Sequence, residues 1–343
     1  MILHYKCPNC GSDMRFDPES GQLSCPSCLT QMNIEQYQDE SVPRTSEPAA
    51  ETVEYHCENC GAELVTTADT AATTCSFCGA GVVIAERLSG HLAPAKVIPF
   101  TISKDEAIRA FQQWCRNGRL TPKGFMTADR IKSMTGIYVP FWLFDLNSKV
   151  RVNAVCTQVR TYRQGDYMYT ETRHFNAYRD INLDYLKIPV DASTRMNDAY
   201  MDRLEPYPYD HLKDFKTPYL AGYIAEKYNY TDEELLPRAK DKISSYIESY
   251  IRSTFTGYST VSYTSKEVDV SNVNSSYVLL PVWMVSYDYK RTEHNFAMNG
   301  QTGKVVGKPP ISSSKVAAWL AGIAAGTFIA MKGIAYALGG GLW

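Results

Sequence analysis

The stretch CPNCGSDMRFDPESGQLSCPSC, residues 7 to 28, returns fifty positions later as CENCGAELVTTADTAATTCSFC, residues 57 to 78. Both copies read C-x2-C-x14-C-x2-C. Two residues between thiols allow one tight turn to place both sulfurs on one ion, and the longer gap suits a short hairpin that returns the second pair. The chain of 343 residues therefore begins with a repeated metal-binding module.

Four thiolates around one ion form a closed tetrahedral site, which is typical of structural zinc. The sequence predicts two zinc ions held by eight ligands: Cys7, Cys10, Cys25, Cys28, Cys57, Cys60, Cys75 and Cys78. We call each C-x2-C pair a knuckle. Glycine follows the second cysteine of three of the four knuckles, at Gly11, Gly61 and Gly79, and suits the turn around a metal. Redox-active C-x-x-C pairs are the alternative, but they belong to a thioredoxin-like context that this sequence lacks.

The first residues, MILHYKCPNC, contain neither the charged start nor the apolar run of a signal peptide. We therefore expect the cysteine-rich region to lie in the cytosol, where thiols stay reduced and bind metal instead of forming disulfides.

Charge is distributed unevenly along the chain. Residues 1 to 90 contain four basic and thirteen acidic residues, a net charge of −9 within a total of −2. Each four-thiolate zinc centre adds about −2. Nucleic-acid binding is the alternative that zinc ribbons suggest, but such proteins gain most of their affinity from Lys and Arg. The charge favours a structural role or protein docking instead.

The C-terminal stretch VAAWLAGIAAGTFIAMKGIAYAL, residues 316 to 338, predicts one transmembrane helix. Twenty-three residues span roughly 34 Å as a helix, which matches a bilayer core of about 30 Å. Trp319 and Tyr336 lie near the two ends, and Lys332 in the distal third would reach toward the interface. The alternative is a buried Gly- and Ala-rich helix in a soluble assembly, although such a helix usually has a polar face.

Three lysines precede this span, at Lys304, Lys308 and Lys315, and nothing basic follows Lys332. By the positive-inside rule, we expect a single-pass protein of the cytoplasmic membrane with the bulk of the chain on the cytosolic side.

Small residues recur every fourth position within the span, at Ala318, Gly322 and Gly326. This spacing lets helix backbones approach closely, so we expect the stripe to contact a second copy of the chain or another membrane subunit. The alternative is that glycine and alanine are simply common in membrane helices.

Two stretches in the middle of the chain predict helices. Residues 102 to 118 carry Ser103 and Glu106 in a capping-box pattern, and Cys115 falls on the apolar face. We interpret Cys115 as a packing residue and not as a nucleophile. Residues 232 to 255 predict the second helix, which Pro237 bends or starts.

Alternating residues on both sides of the turn QGD, residues 164 to 166, predict a long β-hairpin. Cys156 in this hairpin is interpreted as a packing residue. The hairpin is expected to place Val152, Val155 and Thr157 opposite Tyr167, Tyr169 and the residues next to them.

A second internal repeat links YVPFWL, residues 138 to 143, with LLPVWM, residues 279 to 284. We interpret both as strand entries of one α+β unit, with each proline at an edge or bulge and each Trp packed on the core. Asn299 and Gly300 predict a hairpin turn. The alternative, a phosphate loop in NGQTGK, lacks the G-x4-G-K-[ST] spacing.

The predicted fold class is α+β, in five segments. These are a first zinc ribbon (residues 1–35), a linker (36–53), a second ribbon (54–88), a domain of mixed antiparallel sheet and helices (98–310), and the transmembrane helix. The six histidines are scattered without metal-ligand spacing, and no catalytic constellation emerges. We therefore expect a protein that is not an enzyme.

With the ribbons, the two Pro-x-Trp strands, FAMNGQTGKVVG and the terminal span in place, the chain resembles a bacterial family of membrane proteins with transcription-factor-IIB-type zinc ribbons. Some of these resemble the membrane anchor encoded beside phage-shock protein A and a flotillin-like SPFH protein in Gram-positive bacteria. The resemblance implies a non-enzymatic anchor. It would hold the SPFH protein, and through it the phage-shock protein, at the membrane during envelope stress.

Overall fold

A computed structural model describes residues 2–3, 5–36, 52–57, 63–67, 69–75, 80–88, 93–118, 120–122, 125, 131–289 and 292–337. Residues 37–51 of the predicted linker lie outside the described residues, as do Cys60 and Cys78 with the glycine that follows each of them. Within these ranges there are four α-helices: α1 Lys104–Asn117, α2 Asp198–Leu204, α3 Asp232–Ser253 and α4 Ser313–Ala337.

The described residues contain sixteen strands. The first eight are β1 Ile2–Leu3, β2 Arg15–Asp17, β3 Gln22–Ser24, β4 Gln31–Met32, β5 Thr52–His56, β6 Glu63–Thr67, β7 Thr70–Thr74 and β8 Gly81–Ile84. The second eight are β9 Lys96–Val97, β10 Ile131–Gln164, β11 Tyr167–Asp191, β12 Lys213–Asp214, β13 Ile224–Glu226, β14 Thr260–Tyr289, β15 Thr292–Asn299 and β16 Val305–Val306.

Eleven of these strands form one sheet in the order β1-β8-β7-β13-β10-β14-β15-β16, with β11 beside β10, β9 beside β14 and β12 beside β9. Only β13 and β9 run parallel to their long neighbours, so the sheet is mixed. Two smaller sheets, β2-β3-β4 and β5-β6, lie in the cysteine-rich region. The prediction of a mixed sheet combined with helices is confirmed.

Three long strands determine the shape of the molecule. β10 has 34 residues, β14 has 30 and β11 has 25. At about 3.3 Å per residue, β10 is roughly 110 Å long. Its first residues lie in the centre of the large sheet, and its later residues continue as a three-stranded ribbon with β11 and β14. We call this ribbon, residues 146–185 and 260–276, the arm.

The predicted hairpin is confirmed, because β10 and β11 meet at a turn in which Gly165 has a φ of 64°. The expected facing pairs are wrong. A two-residue turn pairs residues that are equally distant from it, so the tyrosines near the turn cannot meet residues farther along β10. The observed pairs are Val152 with Arg179, Val155 with Asn176, Thr157 with His174, Tyr169 with Tyr162 and Tyr167 with Gln164.

The two repeated prolines lie where one neighbouring strand replaces another. The backbone groups of Pro140 face the side of β10 along which β13 ends and β11 begins. The Pro140 carbonyl accepts a hydrogen bond from Ala192 N–H. Pro281 turns toward the side on which β9 gives way to β15, and its carbonyl accepts from Gly300 N–H. Since proline has no N–H to donate, these gaps let it occupy a long interior strand.

Helix α3 covers one face of the arm. It begins at the capping box of Thr231 and Glu234, and Pro237 falls within its second turn. The β10 side chains that point to this face pack against a stripe of α3 residues at every fourth position. The stripe consists of Leu235, Ala239, Ile243, Ile247 and Ile251. Cys156 is buried in this cluster, as predicted, whereas Lys149, Arg151 and Asn153 on the opposite face are exposed. The part of the arm that α3 covers is therefore amphipathic.

Helix α1 packs on the main part of the sheet. The predicted capping box of Ser103 and Glu106 is present, and the helix ends at Gly118. Phe111 and Cys115 are buried in the largest apolar cluster. Burial raises the pKa of the Cys115 thiol to about 12, which fits a packing residue.

Candidate functional site

The first cysteine-rich segment brings its four sulfurs together. The Sγ atoms of Cys7 and Cys28 are 3.5 Å apart, as are those of Cys10 and Cys25, and all four lie within 4.8 Å of one another. Zinc bonded to sulfur at about 2.3 Å in a tetrahedron requires sulfurs roughly 3.8 Å apart. The predicted ligands of the first ribbon thus converge on one point.

Two matching turns build this cluster. Gly11 N–H donates to the Cys7 carbonyl over 2.9 Å, and Leu29 N–H donates to the Cys25 carbonyl over the same distance. Both residues after the knuckles have positive φ, 73° at Gly11 and 61° at Leu29. Glycine takes this conformation without strain, whereas leucine does not. The repeat of the turn geometry explains why the sulfurs of each pair point the same way.

Hydrogen bonding favours a thiolate at Cys28, whereas the pKa of its pair member Cys25 is raised to about 11. The Thr30 hydroxyl lies 3.1 Å from the Cys28 sulfur, and hydrogen bonding to Thr30 lowers the pKa of Cys28 to about 6. Metal ligation needs deprotonated cysteine, so this donor prepares the sulfur for binding.

The donor set fits a zinc ion. Four thiolates in a closed arrangement would hold the ion without leaving a position for water or substrate, so it would supply folding energy and no chemistry. Among the described residues, this is the one group of His, Cys, Asp and Glu arranged to hold a metal ion.

The first segment is packed on the body of the protein. Phe16 of β2 is 4% exposed, and its ring contacts Tyr219 at 5.5 Å and Tyr223 at 6.4 Å between centroids. Phe16 N–H also donates to the Ala221 carbonyl over 2.9 Å. An aromatic contact and a backbone hydrogen bond therefore fix this segment to the main core.

The second segment is part of the large sheet itself. β7 pairs with β13 through Ala72 and Ala225, and β8 pairs with both β7 and β1. Cys57 and Cys75 are buried close to this hairpin. Cys60 and Cys78 lie outside the described residues, so the second predicted zinc site stays a prediction.

Helix α4 is long and apolar enough to cross a membrane, by its length and composition. Its apolar side chains are exposed, including Leu320, Phe328 and Ile329. The helix starts at the body, where Ser312 N–H donates to the Leu120 carbonyl and Lys315 Nζ to the Thr121 carbonyl. The start of α4 lies beside the first residues of β10. Phe125, close to Leu120 and Thr121 in the chain, contacts Tyr287, and Tyr287 pairs with the first residue of β10.

The sequence reasoning missed a partly buried ion cluster that joins α3 to α2 and to the end of β11. Its members are Asp191, Asp198, Asp202, Glu205, Arg238 and Lys242. Arg238 lies 2.7 Å from Asp191, which is 1% exposed, and burial raises the pKa of Asp191 to about 6. The sequence does contain a pattern that indicates this cluster. Acidic residues on α2 and basic residues on α3 each recur at a spacing of four, which places them on one face of their helix.

Comparison with known proteins identifies a full-length relative. No family model matches the chain, and no solved structure matches it. The chain is 68% identical over 342 residues to a protein of Bacillus subtilis (strain 168) described as "Uncharacterized protein YdjG". The alignment covers 99% of this chain and 100% of that protein. With two-thirds of the residues shared along the whole length, the chain belongs to the same family as YdjG of Bacillus subtilis.

Proposed function

We propose that this protein is a non-enzymatic, zinc-containing scaffold anchored in the cytoplasmic membrane by α4, with its bulk on the cytosolic side. It recruits cytosolic partners to the membrane during envelope stress. By family resemblance, these partners are an SPFH protein of the flotillin type and a protein of the phage-shock protein A type. The observation that carries this proposal is the exposed apolar surface of α4.

A helix of a soluble protein hides its apolar side chains in a core, whereas none of the apolar window of α4 is buried. Lys304, Lys308 and Lys315 precede the apolar stretch that begins at Val316 and support a cytosolic body. Lys332 lies over the ring of Phe328, 5.7 Å from its centroid. This contact partly compensates the lysine charge at that depth.

The shape of the body also suits a scaffold. α4 begins beside the first residues of β10, and the arm is formed by the later residues of the same strand, so the far end of the arm is separated from the anchor by about 100 Å of strand. A membrane protein of this form presents a long surface to cytosolic partners. The alternative, nucleic-acid binding by the ribbons, is disfavoured by the net charge of −9 over residues 1 to 90.

Membrane fractionation tests the anchor. We expect the full chain to stay in the membrane pellet after alkaline carbonate and high salt, and to be released by detergent. A matched variant that ends at Ser312 keeps the body and removes only α4, and we expect it in the supernatant as a folded, zinc-containing protein. Recovery of the full chain in the supernatant without detergent, as a well-behaved particle, contradicts the proposal.

Partner capture tests the recruitment. The full chain and the variant ending at Ser312 are tagged in the native host, crosslinked under envelope stress and purified. We expect an SPFH protein and a phage-shock protein to be enriched with the full chain. In the variant, both partners should lose their membrane association. Equal enrichment with an unrelated tail-anchored control would remove these partners from the proposal.

A further inference from the structure

The far end of the arm has a vacant edge. β14 lies beside β10 only as far as the pair Thr157 and Thr260, whereas β10 continues to Gln164. Within the described part of the chain, no strand lies beside residues 158–164 on that side. We call the two-stranded end of the arm, residues 158–174, the tip.

The backbone groups that face this vacant edge can be identified. Ser259 N–H donates to the Thr157 carbonyl, and Val159 N–H donates to Ser259 Oγ over 2.9 Å. Backbone groups along a strand alternate between its two sides. Thr161 and Arg163 therefore turn their N–H and C=O groups toward the vacant edge, beyond the point that Ser259 reaches.

The tip carries apolar and aromatic surface that nothing covers. Val159, Tyr162, Tyr167, Met168 and Tyr169 are all more than 40% exposed. Aromatic residues, Met and Arg are the types that protein interfaces favour. A two-stranded hairpin without a covered face is marginal in water. Additional strands would stabilise the tip.

We propose that the tip binds the tip of a second copy of this chain, by antiparallel pairing of the two vacant edges about a two-fold axis. Thr161 of each copy pairs with Arg163 of the other, so the free N–H and C=O groups of both residues form ladder hydrogen bonds. The axis passes between the two Tyr162 residues, which directly oppose each other. Val159 keeps its bond to Ser259.

The edge is complementary to itself in this register. Arg160 falls opposite Gln164 and Arg163 opposite Thr161, so no two like charges meet. Tyr162 already stacks on Tyr169 at 5.6 Å with an interplanar angle of 17°. Two copies would bring four tyrosines into one row on the same face of a four-stranded sheet.

Length also favours a second copy as the occupant. The vacant edge runs from Ser259 to the turn at Gly165, which leaves residues 160–164 to be paired. The strand that would fill it is the same five residues, which end at their own turn. The pairing is small beside an interface of about 1,600 Å², so we expect it to be weak in solution and to gain from concentration at the membrane.

A cysteine at the two-fold axis tests this pairing. Directly opposed residues of this type have Cα atoms about 4.5 Å apart, within the range that a disulfide spans. We expect Tyr162→Cys in the full chain, in nanodiscs under mild oxidation, to give a covalent dimer. Tyr246→Cys on α3, 66% exposed in the same cysteine background, is the control and should stay monomeric.

Two proline variants separate this edge from the opposite one. Thr161 and Thr170 face each other across the hairpin, and both turn their N–H groups outward, toward opposite edges. We expect Thr161→Pro to remove two bonds of the symmetric contact and to weaken the dimer at least tenfold, since one such bond accounts for about a tenfold change. Thr170→Pro should leave it unchanged.

The readouts are analytical ultracentrifugation in detergent and the yield of crosslinked Tyr162→Cys. A dimer that forms through α4 would be equally strong in both proline variants and would give no Tyr162→Cys crosslink. That result, or a monomer at every concentration, overturns the proposal. So does equal weakening by both prolines, because the contact would then not lie at the β10 edge.

Discussion

The two cysteine-rich segments share one spacing and differ in how they join the protein. The first has its own three-stranded sheet, meets the body through Phe16, and adds only the two-residue strand β1 to the edge of the large sheet. The second contributes β7 and β8 to the eleven-stranded sheet, where Ala72 lies beside Ala225. A sequence repeat thus shows that two segments have similar knuckles, but it does not show that they have similar neighbours.

The difference lies in what the hairpin between the knuckles offers to the body. In the first segment, a large ring at Phe16 enters a pocket of aromatic residues. In the second, small buried residues at Thr70, Ala71 and Ala72 allow close approach and backbone pairing. Unfolding of the first segment should therefore remove a packing contact from the body, whereas unfolding of the second should remove paired strands from the large sheet.

The largest expected effect comes from the second segment. Cys75→Ser should lower the free energy of unfolding of the body by on the order of 5 kcal/mol, because a structural zinc site contributes about 10 to 16 kcal/mol in small zinc peptides. All five Trp residues lie outside the cysteine-rich segments, so Trp fluorescence during denaturant unfolding reports on the rest of the chain.

The matched variant in the first segment is Cys25→Ser. Each variant should lower the zinc content from two ions to one, as measured on the purified protein. Cys25→Ser should leave the Trp-monitored midpoint nearly unchanged or add a separate early transition. If both variants destabilise the body equally, the contrast between an attached and an integrated segment is wrong.

A smaller effect is expected when the contact of the first segment is cut and its zinc is kept. Phe16→Ala should cost about 3 kcal/mol, as for other buried Phe residues replaced by Ala. Amide exchange in β2 and β3 should accelerate, while the zinc content stays constant. Phe16→Leu, which keeps an apolar side chain in the pocket, should lose much less. Loss of zinc in Phe16→Ala would mean that the ring supports the metal site directly.

Much of the local structure follows from the sequence. The capping boxes before α1 and α3, the turn at Gly165 and the Asn299 turn are each specified by a few adjacent residues. The length of the strands was not predicted, because alternation shows that a strand exists without showing which strand lies beside it. The prolines made the interior of the sheet harder to recognise, since only the exchange of neighbouring strands makes them acceptable there.

The metal site, like the helix caps and turns, could be predicted from residues that lie close together in the sequence. Cysteine spacing determines which thiols can share an ion, and the four sulfurs of the first segment do converge. The position of that site on the body depends on long-range contacts such as Phe16 with Tyr219, about two hundred residues apart in the chain. No local pattern encodes such a pair. The same limit applies to the ion cluster around Arg238.

An effect of about 1 kcal/mol is expected at the turn after Cys28, where a leucine instead of a glycine follows the second cysteine of the pair. Leu29 has a φ of 61° and is 79% exposed, so its side chain adds strain and little packing. Leu29→Gly should stabilise the zinc-bound segment by about 1 kcal/mol, and Gly11→Ala should destabilise it by a similar amount. Zinc competition with a chelator measures both. A loss of zinc affinity in Leu29→Gly would show that the leucine side chain has a binding role.

The smallest expected effect concerns the ion pair between Lys216 and Glu35, which also joins the first segment to the body. The Glu35 side chain is 69% exposed, so solvent screens the pair and it contributes less than about 0.5 kcal/mol. Lys216→Met should leave amide exchange in β2 and β3 nearly unchanged, and added salt should have no effect on docking. A strong salt dependence would mean that charge and not the Phe16 ring holds the first segment in place, and Phe16→Ala would then lose less than predicted.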